Sequence, residues 1–300
     1  MSLASPSPAP HLPVMLDECL EGLALQENHW YIDATFGAGG HTRALLQRGV
    51  CVLALDQDPK TTVYLDALRE ELLPQTMNNL RNHYGNFRFL DVYAAEAGVA
   101  PVAGVLFDLG VSSMQLDEGE RGFAFRQDGP LDMRMSEAGE SAADVVNTRS
   151  QEDLAALIYK YGEERHSRRL ARAIVETRDK QPIATTQDLV TVLQDAYPGG
   201  YRREHPARRT FQALRIYVND ELGALEDALA AAERTLEAGG RLVVLSYHSL
   251  EDRIVKHFIK GSSTLSALTK RPLTATEAEI ERNLRSRSAK LRVAEKVVAA

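Results

Sequence analysis

Short apolar runs alternate with glycine turns and helical patterns in the first third of the chain. The run Trp30–Phe36 ends at a glycine cluster, a helical pattern follows over His41–Arg48, and a second apolar run covers Val50–Leu55. Strand, glycine turn, helix and strand in this order predict a βαβ unit. Two further buried strands are predicted at Val102–Leu106 and Arg241–Tyr247. The pattern therefore predicts an α/β fold built on a Rossmann-like sheet.

The middle of the chain has a different pattern. Residues 118–212 show helical periodicity punctuated by prolines and contain no run typical of a buried strand. We predict a mostly helical second domain at 118–212, inserted into a sheet domain made of 1–117 and 213–300. Its expected helices are Gln151–Tyr161, Ser167–Arg178 and Thr186–Ala196. Residues 1–10, rich in Ser and Pro, are predicted to be a disordered tail.

Two local signals predict where elements end in the last third of the chain. A helix beginning near Asp220 is expected to stop at Gly239-Gly240, because glycine commonly follows a helix before the next strand. After that strand, Ser249 with Asp252 predicts a helix N-cap. A Ser-His-Asp triad here is disfavoured, since triad members normally converge from separate loops. His248 remains open between a residue facing a crevice and a buried, hydrogen-bonded one.

Composition limits the classes of protein that fit. The 300 residues are 44% hydrophobic and 26% charged, which is typical of globular proteins with a sizeable core. No apolar run is long enough to span a membrane, and the start of the chain lacks the pattern of a signal peptide. Cys19 and Cys51 are too few for a zinc site, so no metal is expected. This cysteine usage suits a reducing, cytoplasmic compartment.

Charge is unevenly distributed on a chain of net charge −7. Residues 159–209 carry eleven Lys and Arg against seven Asp and Glu, and residues 282–296 carry six against one. Such runs either bind an anionic partner or form ion-paired, solvated surfaces, and charge alone leaves both open. Arginine suits phosphate contacts. The candidates in the inserted region are Arg165, His166, Arg168, Arg169, Arg172, Arg202, Arg203, Arg208 and Arg209.

The turn at residues 33–41 carries the strongest chemical signal. Glycines such as Gly39 and Gly40 let the backbone approach a ligand closely, at the start of a helix whose N–H groups point toward it. Asp56 closes the next strand 17 residues after Gly39, near the spacing at which a carboxylate binds ribose hydroxyls. Without a Lys-Ser/Thr pair, the turn is not a Walker motif. These residues predict an adenosine-type cofactor, either NAD or S-adenosylmethionine.

Asp108 ends the strand predicted at 102–106, in the loop that continues to Ser113. Ligands of open α/β sheets bind beyond the carboxyl ends of the strands, so this loop should face the same crevice as Gly39 and Asp56. A carboxylate there could orient a substrate amine or contact the cofactor. The alternative is a cap for a helix or turn.

Sequence blocks spread over nearly the whole chain are similar to one family. They are HLPVML (11–16), YIDATFGAGGH (31–41), LDQDP (55–59), DLGVSS (108–113), QLD (115–117), ERGF (120–123), DGPLDMRM (128–135), YGEER (161–165), TFQA (210–213), SYHSLEDR (246–253) and RSAKLR (287–292). Taken in order, they resemble the ribosomal RNA small subunit methyltransferase H family, also called RsmH or MraW. The longest of them are too long to match by chance.

The resemblance implies transfer of a methyl group from S-adenosylmethionine to the exocyclic N4 of a cytidine in the decoding region of 16S rRNA. It implies cofactor contacts at Gly39, Gly40, His41, Asp56, Phe87, Asp108 and Gln115. We further expect Asp108 to border the target amine as the catalytic candidate. Three departures from the family pattern are Met114 and Leu284 in place of prolines, and an extra tyrosine, Tyr84, before Gly85.

Other functions and the partners remain to be distinguished. An NAD-dependent oxidoreductase could use the same βαβ unit, although the glycine pattern fits it imperfectly. A non-catalytic ribosome-assembly factor could retain the cofactor site as part of its fold. The expected partner is 16S rRNA within the small ribosomal subunit, since the low overall charge is ill-suited to tight binding of naked RNA. No membrane partner is expected, and a homodimer is left open.

Overall fold

The computed structural model describes residues 12–73, 76–199 and 205–297. Chain contacts divide the protein into two compact units, Met1–Gly110 with Ala224–Ala300, and Val111–Gly223. The tail predicted at residues 1–10 and the candidates Arg202 and Arg203 lie outside the described residues.

The described helices and strands follow one another along both units. In chain order they are α1 (Leu16–Leu23), β1 (Trp30–Asp33), α2 (Gly40–Gln47), β2 (Cys51–Asp56), α3 (Thr62–Glu71), β3 (Leu80–Tyr84), α4 (Leu90–Glu96), β4 (Val102–Asp108), α5 (Ser113–Asp117), α6 (Ala142–Thr148), α7 (Gln151–Gly162), α8 (Ser167–Arg178), α9 (Thr186–Ala196), α10 (Arg208–Val218), α11 (Glu221–Thr235), β5 (Leu236–Ser246), α12 (Ser249–Gly261), β6 (Leu265–Ala267), α13 (Glu277–Arg282) and β7 (Lys290–Lys296).

The first unit contains a seven-stranded sheet in the order β3-β2-β1-β4-β5-β7-β6. Strands β3, β2, β1, β4 and β5 pair in parallel, and β7 runs antiparallel to both β5 and β6. The strand order reverses between β1 and β4, where Ile32 lies opposite Val105. In open α/β sheets the ligand crevice forms at this point, beyond the carboxyl ends of the strands. The predicted Rossmann-like α/β fold is confirmed.

The central strands are apolar because both faces of the sheet are covered. Ile32, Leu53 and Phe107 belong to a buried cluster on one face, whereas Tyr31 and Val52 belong to the cluster on the other. Successive side chains of a strand point to opposite faces, so covering both faces produces a continuous apolar run. This burial explains why β1, β2 and β4 were recognisable in the sequence.

Three strands were missed for a physical reason. β3 forms one edge of the sheet, and of its five residues only Leu80 is buried. β6 has three residues and one buried side chain, at the opposite edge. β7 has charged residues at both ends of a short buried stretch. Exposed or short strands lack the apolar run by which a buried strand is predicted.

The predicted junction at Gly239-Gly240 is wrong. α11 ends at Thr235, β5 begins at Leu236, and both glycines lie within the strand. The pairing of β5 with β4 shifts register between Val102 and Gly104, and Gly239 adopts a φ of 82°. The glycines therefore allow an irregularity in a strand instead of ending a helix.

The second unit is helical. It contains α5 to α10, and its described residues form no strand, only an isolated bridge between Pro130 and Thr185. α8 and α9 have the predicted bounds, and α7 extends one residue beyond its prediction. α7 packs against α8 and α10 around a separate apolar cluster. Of the helices that the structure describes, none is long and apolar enough to cross a membrane.

Gly162 permits the close crossing of α7 and α10. A Cβ at this position would lie 2.5 Å from the backbone carbonyl oxygen of Arg209. We predict that Gly162→Ala lowers the free energy of unfolding by about 1–3 kcal/mol, because backbone atoms must move to accept the methyl group. Urea unfolding measures the change.

The matched control is Gly261→Ala at the end of α12, where a Cβ would meet no atom within 4 Å. This variant should be neutral or more stable by up to about 1 kcal/mol, because alanine favours a helix over glycine. If Gly162→Ala unfolds at the same urea concentration as Gly261→Ala, the close crossing is not a constraint on stability.

Candidate active site

The glycine turn after β1 begins the site. Gly39 is the N-cap of α2 with a φ of 78°, and its N–H donates to the Phe36 carbonyl at 2.8 Å. A Cβ on Gly39 would lie 2.8 Å from the Phe36 ring, so neither the conformation nor the space suits a larger residue. No side chain caps α2, which begins at Gly40, among the described residues. Its first N–H groups can therefore bind the polar atoms of a ligand.

A buried carboxylate holds this turn in place. Asp33, fully buried at the end of β1, accepts hydrogen bonds from Thr35 N–H at 3.2 Å and from the Thr42 hydroxyl at 2.7 Å. The Thr35 hydroxyl accepts a hydrogen bond from Asp108 N–H at 2.7 Å. Burial raises the pKa of Asp33, while nearby His41 and these donors oppose the rise. One network thus connects β1, α2 and the end of β4.

Asp56 ends β2 with a carboxylate already fixed by the backbone. One oxygen accepts from Gly37 N–H at 2.7 Å, and the other accepts from Asp58 N–H at 2.9 Å. Burial raises the pKa of Asp56 to about 6; the two N–H donors oppose the rise, and the charges of Asp58 and Asp33 add to it. Each oxygen can accept one more hydrogen bond, so the pair fits two vicinal hydroxyls.

Phe87 lies just beyond β3, in a single 3₁₀ turn over Phe87–Phe89. The preceding Asn86 donates from its side chain to the Gln57 side-chain oxygen at 2.8 Å. This contact connects the turn to the loop after β2, beside Asp56. The Phe87 ring packs edge-to-face on Phe107 of β4, with centroids 5.7 Å apart. An aromatic ring therefore borders the part of the crevice that contains Asp56.

His41 and Asp108 form the polar centre of the crevice. His41 is 5% exposed, and its Nε2 lies 3.6 Å from Asp108 Oδ2, too far for a hydrogen bond. Burial alone would lower the pKa of His41, but the charges of Asp108 and Asp33 outweigh it and raise the pKa. Neither ring nitrogen has a hydrogen-bond partner among the described residues. A buried imidazole whose nitrogens lack partners is suited to form a hydrogen bond with a polar atom of a ligand.

Tyr247 completes this centre, and the sequence analysis did not single it out. Its hydroxyl donates to Asp108 Oδ1 at 2.5 Å. Tyr247 directly follows β5, the strand beside β4, so both residues lie at carboxyl ends of neighbouring strands. That position, inside the block at 246–253, was the available signal.

The capping prediction for α12 is wrong by one residue. His248 is the N-cap and Glu251 is the acidic residue at the third helical position, so the box begins one residue earlier than Ser249. Asp252 instead pairs with Arg292 at 2.7 Å and Lys290 at 3.3 Å. His248 therefore has a structural role at the start of α12.

Six of the predicted cofactor residues come together at the carboxyl ends of β1 to β4: Gly39, Gly40, His41, Asp56, Phe87 and Asp108. Gln115 belongs to the second unit, where its side-chain oxygen accepts from Ser112 N–H at 3.0 Å in the capping box of α5. Its contact with a cofactor stays a prediction.

The two basic runs differ in how their charges are used. In the C-terminal run, Arg282, Lys290 and Arg292 pair with acidic side chains, and Lys296 donates to backbone carbonyls where α11 ends and β5 begins. In the second unit, four exposed guanidinium groups have no partner in the described part of the chain: Arg165, Arg168, Arg169 and Arg172. These four groups of the second unit are therefore available to an anion.

Arg208 and Arg209 also belong to the second unit, at the start of α10. Both are exposed, and Arg209 donates to the Glu163 carbonyl at 2.9 Å. Arg168 and Arg169 occupy the first turn of α8, and neither helix has an acidic residue in its first turn. Cations are unfavourable at a helix N-terminus, so these positions do not serve helix stability.

Comparisons with known proteins agree over the length of the chain. The profile of the MraW methylase family matches residues 8–297. The protein named ribosomal RNA small subunit methyltransferase H of Deinococcus radiodurans is 55% identical over 99% of this chain and 93% of its own. Its namesakes in Deinococcus deserti and Bradyrhizobium diazoefficiens are 56% and 49% identical, covering 96% and 98% of this chain and 94% and 93% of theirs.

The pKa of Asp56 makes cofactor binding testable by pH. At pH 7.5 the carboxylate is ionised and can accept hydrogen bonds from hydroxyl groups, whereas at pH 5 most of it is protonated because its pKa is about 6. We predict that the Kd for S-adenosylhomocysteine, measured by calorimetry, rises about tenfold from pH 7.5 to pH 5.

Asp56→Asn is the control for the other titrating groups of the crevice. It should bind more weakly at pH 7.5 and show little change in Kd down to pH 5. A wild-type Kd that is equal at the two pH values would exclude Asp56 as the acceptor of the ribose hydroxyls.

Proposed function

The chain belongs to the MraW methylase family, and from this premise we propose that it methylates the exocyclic N4 of a cytidine in the decoding region of 16S rRNA. It is a methyltransferase, and S-adenosylmethionine is its cofactor. The substrate class is supported by relatives named as ribosomal RNA small subunit methyltransferases at 49–56% identity. The observation that carries the proposal is the crevice in which the glycine turn, Asp56, His41 and Asp108 meet.

The charge of the crevice favours this cofactor over a dinucleotide. Four described carboxylates lie at or beside it, those of Asp33, Asp56, Asp58 and Asp108, whereas the nearby basic groups are His41 and, close to Tyr247, Arg285. Such a site repels the pyrophosphate of NAD and attracts a cation. S-adenosylmethionine carries a sulfonium, which supplies an activated methyl group. An oxidoreductase that uses NAD is therefore disfavoured.

The chain's residues have distinct roles toward the cofactor in this proposal. Asp56 accepts the two ribose hydroxyls, and the ring of Phe87 lies against the adenosine. The N–H groups at the start of α2 and the buried His41 bind polar atoms at the other end of the molecule. Gln115 stays a predicted cofactor contact.

Asp108 is the proposed catalytic residue. The exocyclic amine of cytosine is a weak nucleophile, because its lone pair is delocalised into the ring. Asp108 accepts a hydrogen bond from this amine and so orients the nitrogen toward the methyl group. As the new N–C bond forms and the C–S bond breaks, positive charge develops on the nitrogen and is stabilised by the carboxylate. The proton that the nitrogen loses then passes to the Asp108 carboxylate, which already accepts its hydrogen bond.

The second unit is proposed to bind the rRNA backbone. α8 buries Leu170, Ala171 and Ile174 and exposes arginines on its other face. Guanidinium groups without partners, in the first turn of a helix, gain most from a phosphate. The proposed partner is 16S rRNA in an assembled small subunit, in the cytoplasm. A homodimer stays a prediction that light scattering can test.

Methyl transfer to small ribosomal subunits tests the function. Subunits from a strain that lacks this activity are incubated with the enzyme and labelled S-adenosylmethionine, and nucleosides are analysed by mass spectrometry. We expect N4-methylcytidine in 16S rRNA. Label without this nucleoside would identify a different target, and a lack of label despite tight cofactor binding would contradict the proposed substrate.

Asp108→Ala tests the catalytic role in the same assay. We expect kcat to fall about 100-fold or more at saturating cofactor, because the group that orients the amine is lost. Asp66→Asn, an exposed carboxylate on α3, is the control and should retain wild-type turnover. If Asp108→Ala keeps wild-type kcat, Asp108 does not act on the amine.

Arg168→Ala and Arg172→Ala test the RNA surface of α8. Each should weaken binding of small subunits. Each should also reduce the slope of log K against log salt by about 1, because one phosphate contact fewer releases one counterion fewer. Lys180→Ala, an exposed cation beyond the end of α8, is the control. Binding and slope equal to those of the control would mean that these arginines are ordinary surface charges.

A further inference from the structure

The Tyr247 side chain lies against Asp108, to which its hydroxyl donates a hydrogen bond. We propose that the Tyr247 hydroxyl is the positioning group that fixes the orientation of the Asp108 carboxylate in the crevice. This inference rests on the proposed function, in which Asp108 orients the target amine. It adds a residue of the block at 246–253 to the reaction.

The geometry divides the two oxygens of Asp108 between different neighbours. Oδ1 accepts the Tyr247 hydroxyl at 2.5 Å, whereas Oδ2 lies 3.6 Å from His41 Nε2. The backbone N–H of Asp108 is held separately by the Thr35 hydroxyl at 2.7 Å. Thr35 therefore fixes the backbone, and Tyr247 fixes the side chain. Without the hydroxyl, Oδ1 loses the hydrogen bond that opposes rotation of the carboxylate.

Tyr247 is itself held rigidly. Its ring packs against the apolar cluster on the α1 face of the sheet, and its Cδ2 lies within 3.6 Å of where a Cβ on Gly110 would stand. Its own backbone N–H donates to Glu251 Oε2 at 2.8 Å, in the capping region of α12. Because both the ring and the backbone of Tyr247 are held, its hydroxyl points in one direction. Hydrogen bonds to a charged group of this kind are strong and directional.

The surroundings of the pair favour a neutral phenol at Tyr247, which donates to Asp108. Burial raises the pKa of Tyr247 well above its usual range, and the charge of Asp108 adds to this effect. The hydroxyl thus keeps its proton throughout the working pH range. The other charged or titratable groups that face the pair are Cys19 of α1, Asp33 of β1, His41 of α2 and Arg285 before β7.

Tyr247→Phe tests the proposal because it removes the donor and keeps the ring. We expect kcat for small-subunit methylation to fall about tenfold or more, while the Kd for S-adenosylmethionine stays within about twofold. The matched control is Tyr31→Phe in β1, which also removes a hydrogen-bonded hydroxyl, the acceptor of Gln26 N–H at 2.9 Å. This control should lower the melting temperature without lowering kcat.

Two results of these assays would overturn the proposal. One is a Tyr247→Phe enzyme with wild-type kcat. The other is a parallel loss of kcat, cofactor affinity and melting temperature, since that pattern describes a structural role. Crystal structures of the Tyr247→Phe and Tyr31→Phe variants, each with S-adenosylhomocysteine, give a readout that does not depend on turnover. The Asp108 carboxylate should change orientation only in Tyr247→Phe, and an unchanged orientation would contradict the inference even if the substrate proved different.

Discussion

The carboxylate of Asp33 is buried at the point where the sheet, helix α2 and the crevice meet. Both oxygens accept hydrogen bonds, from Thr35 N–H and the Thr42 hydroxyl, and Thr35 in turn accepts from Asp108 N–H. A buried charge is tolerated only when it is hydrogen-bonded, so the turn must follow the positions of these donors. These hydrogen bonds determine the path of the chain through the glycine turn. They also determine where Asp108 lies relative to that turn.

The same arrangement collects negative charge where the ligand is expected. Asp33 and Asp56 both have a raised pKa, first because they are buried and then because other carboxylates lie nearby. His41, whose pKa is raised by Asp108 and Asp33, compensates part of this charge. A cationic cofactor would relieve the remainder. The protein thus holds a crevice that is electrostatically unfavourable until its ligand binds, as many active sites are.

The sequence predicted the centre of the sheet and failed at its edges. Strands β1, β2 and β4 were found because burial on both faces makes them apolar throughout, and the glycine turn was found because few other residues fit its conformation. β3 was missed because it is an exposed edge strand. The glycines at 239 and 240 were assigned to a helix end, since local sequence does not distinguish that use from an irregular strand.

In the candidate site, too, residues with a local sequence signal were predicted and those that depend on distant contacts were missed. Asp56 and Asp108 were predicted because a carboxylate directly after a buried strand is a local pattern. Tyr247 was not, because its contact with Asp108 joins residues 139 positions apart and depends on the pairing of β4 with β5. The capping box of α12 was misplaced by one residue, because histidine at an N-cap is not a common sequence signal.

A crystal structure of the protein with S-adenosylhomocysteine and cytidine would test the central claim most directly. We expect the ribose hydroxyls on the two oxygens of Asp56, and the exocyclic amine of cytidine within hydrogen-bonding distance of the Asp108 carboxylate. An adenosine bound away from Asp56, or a cytidine whose amine does not reach Asp108, would contradict the assignment of this crevice as the place of methyl transfer.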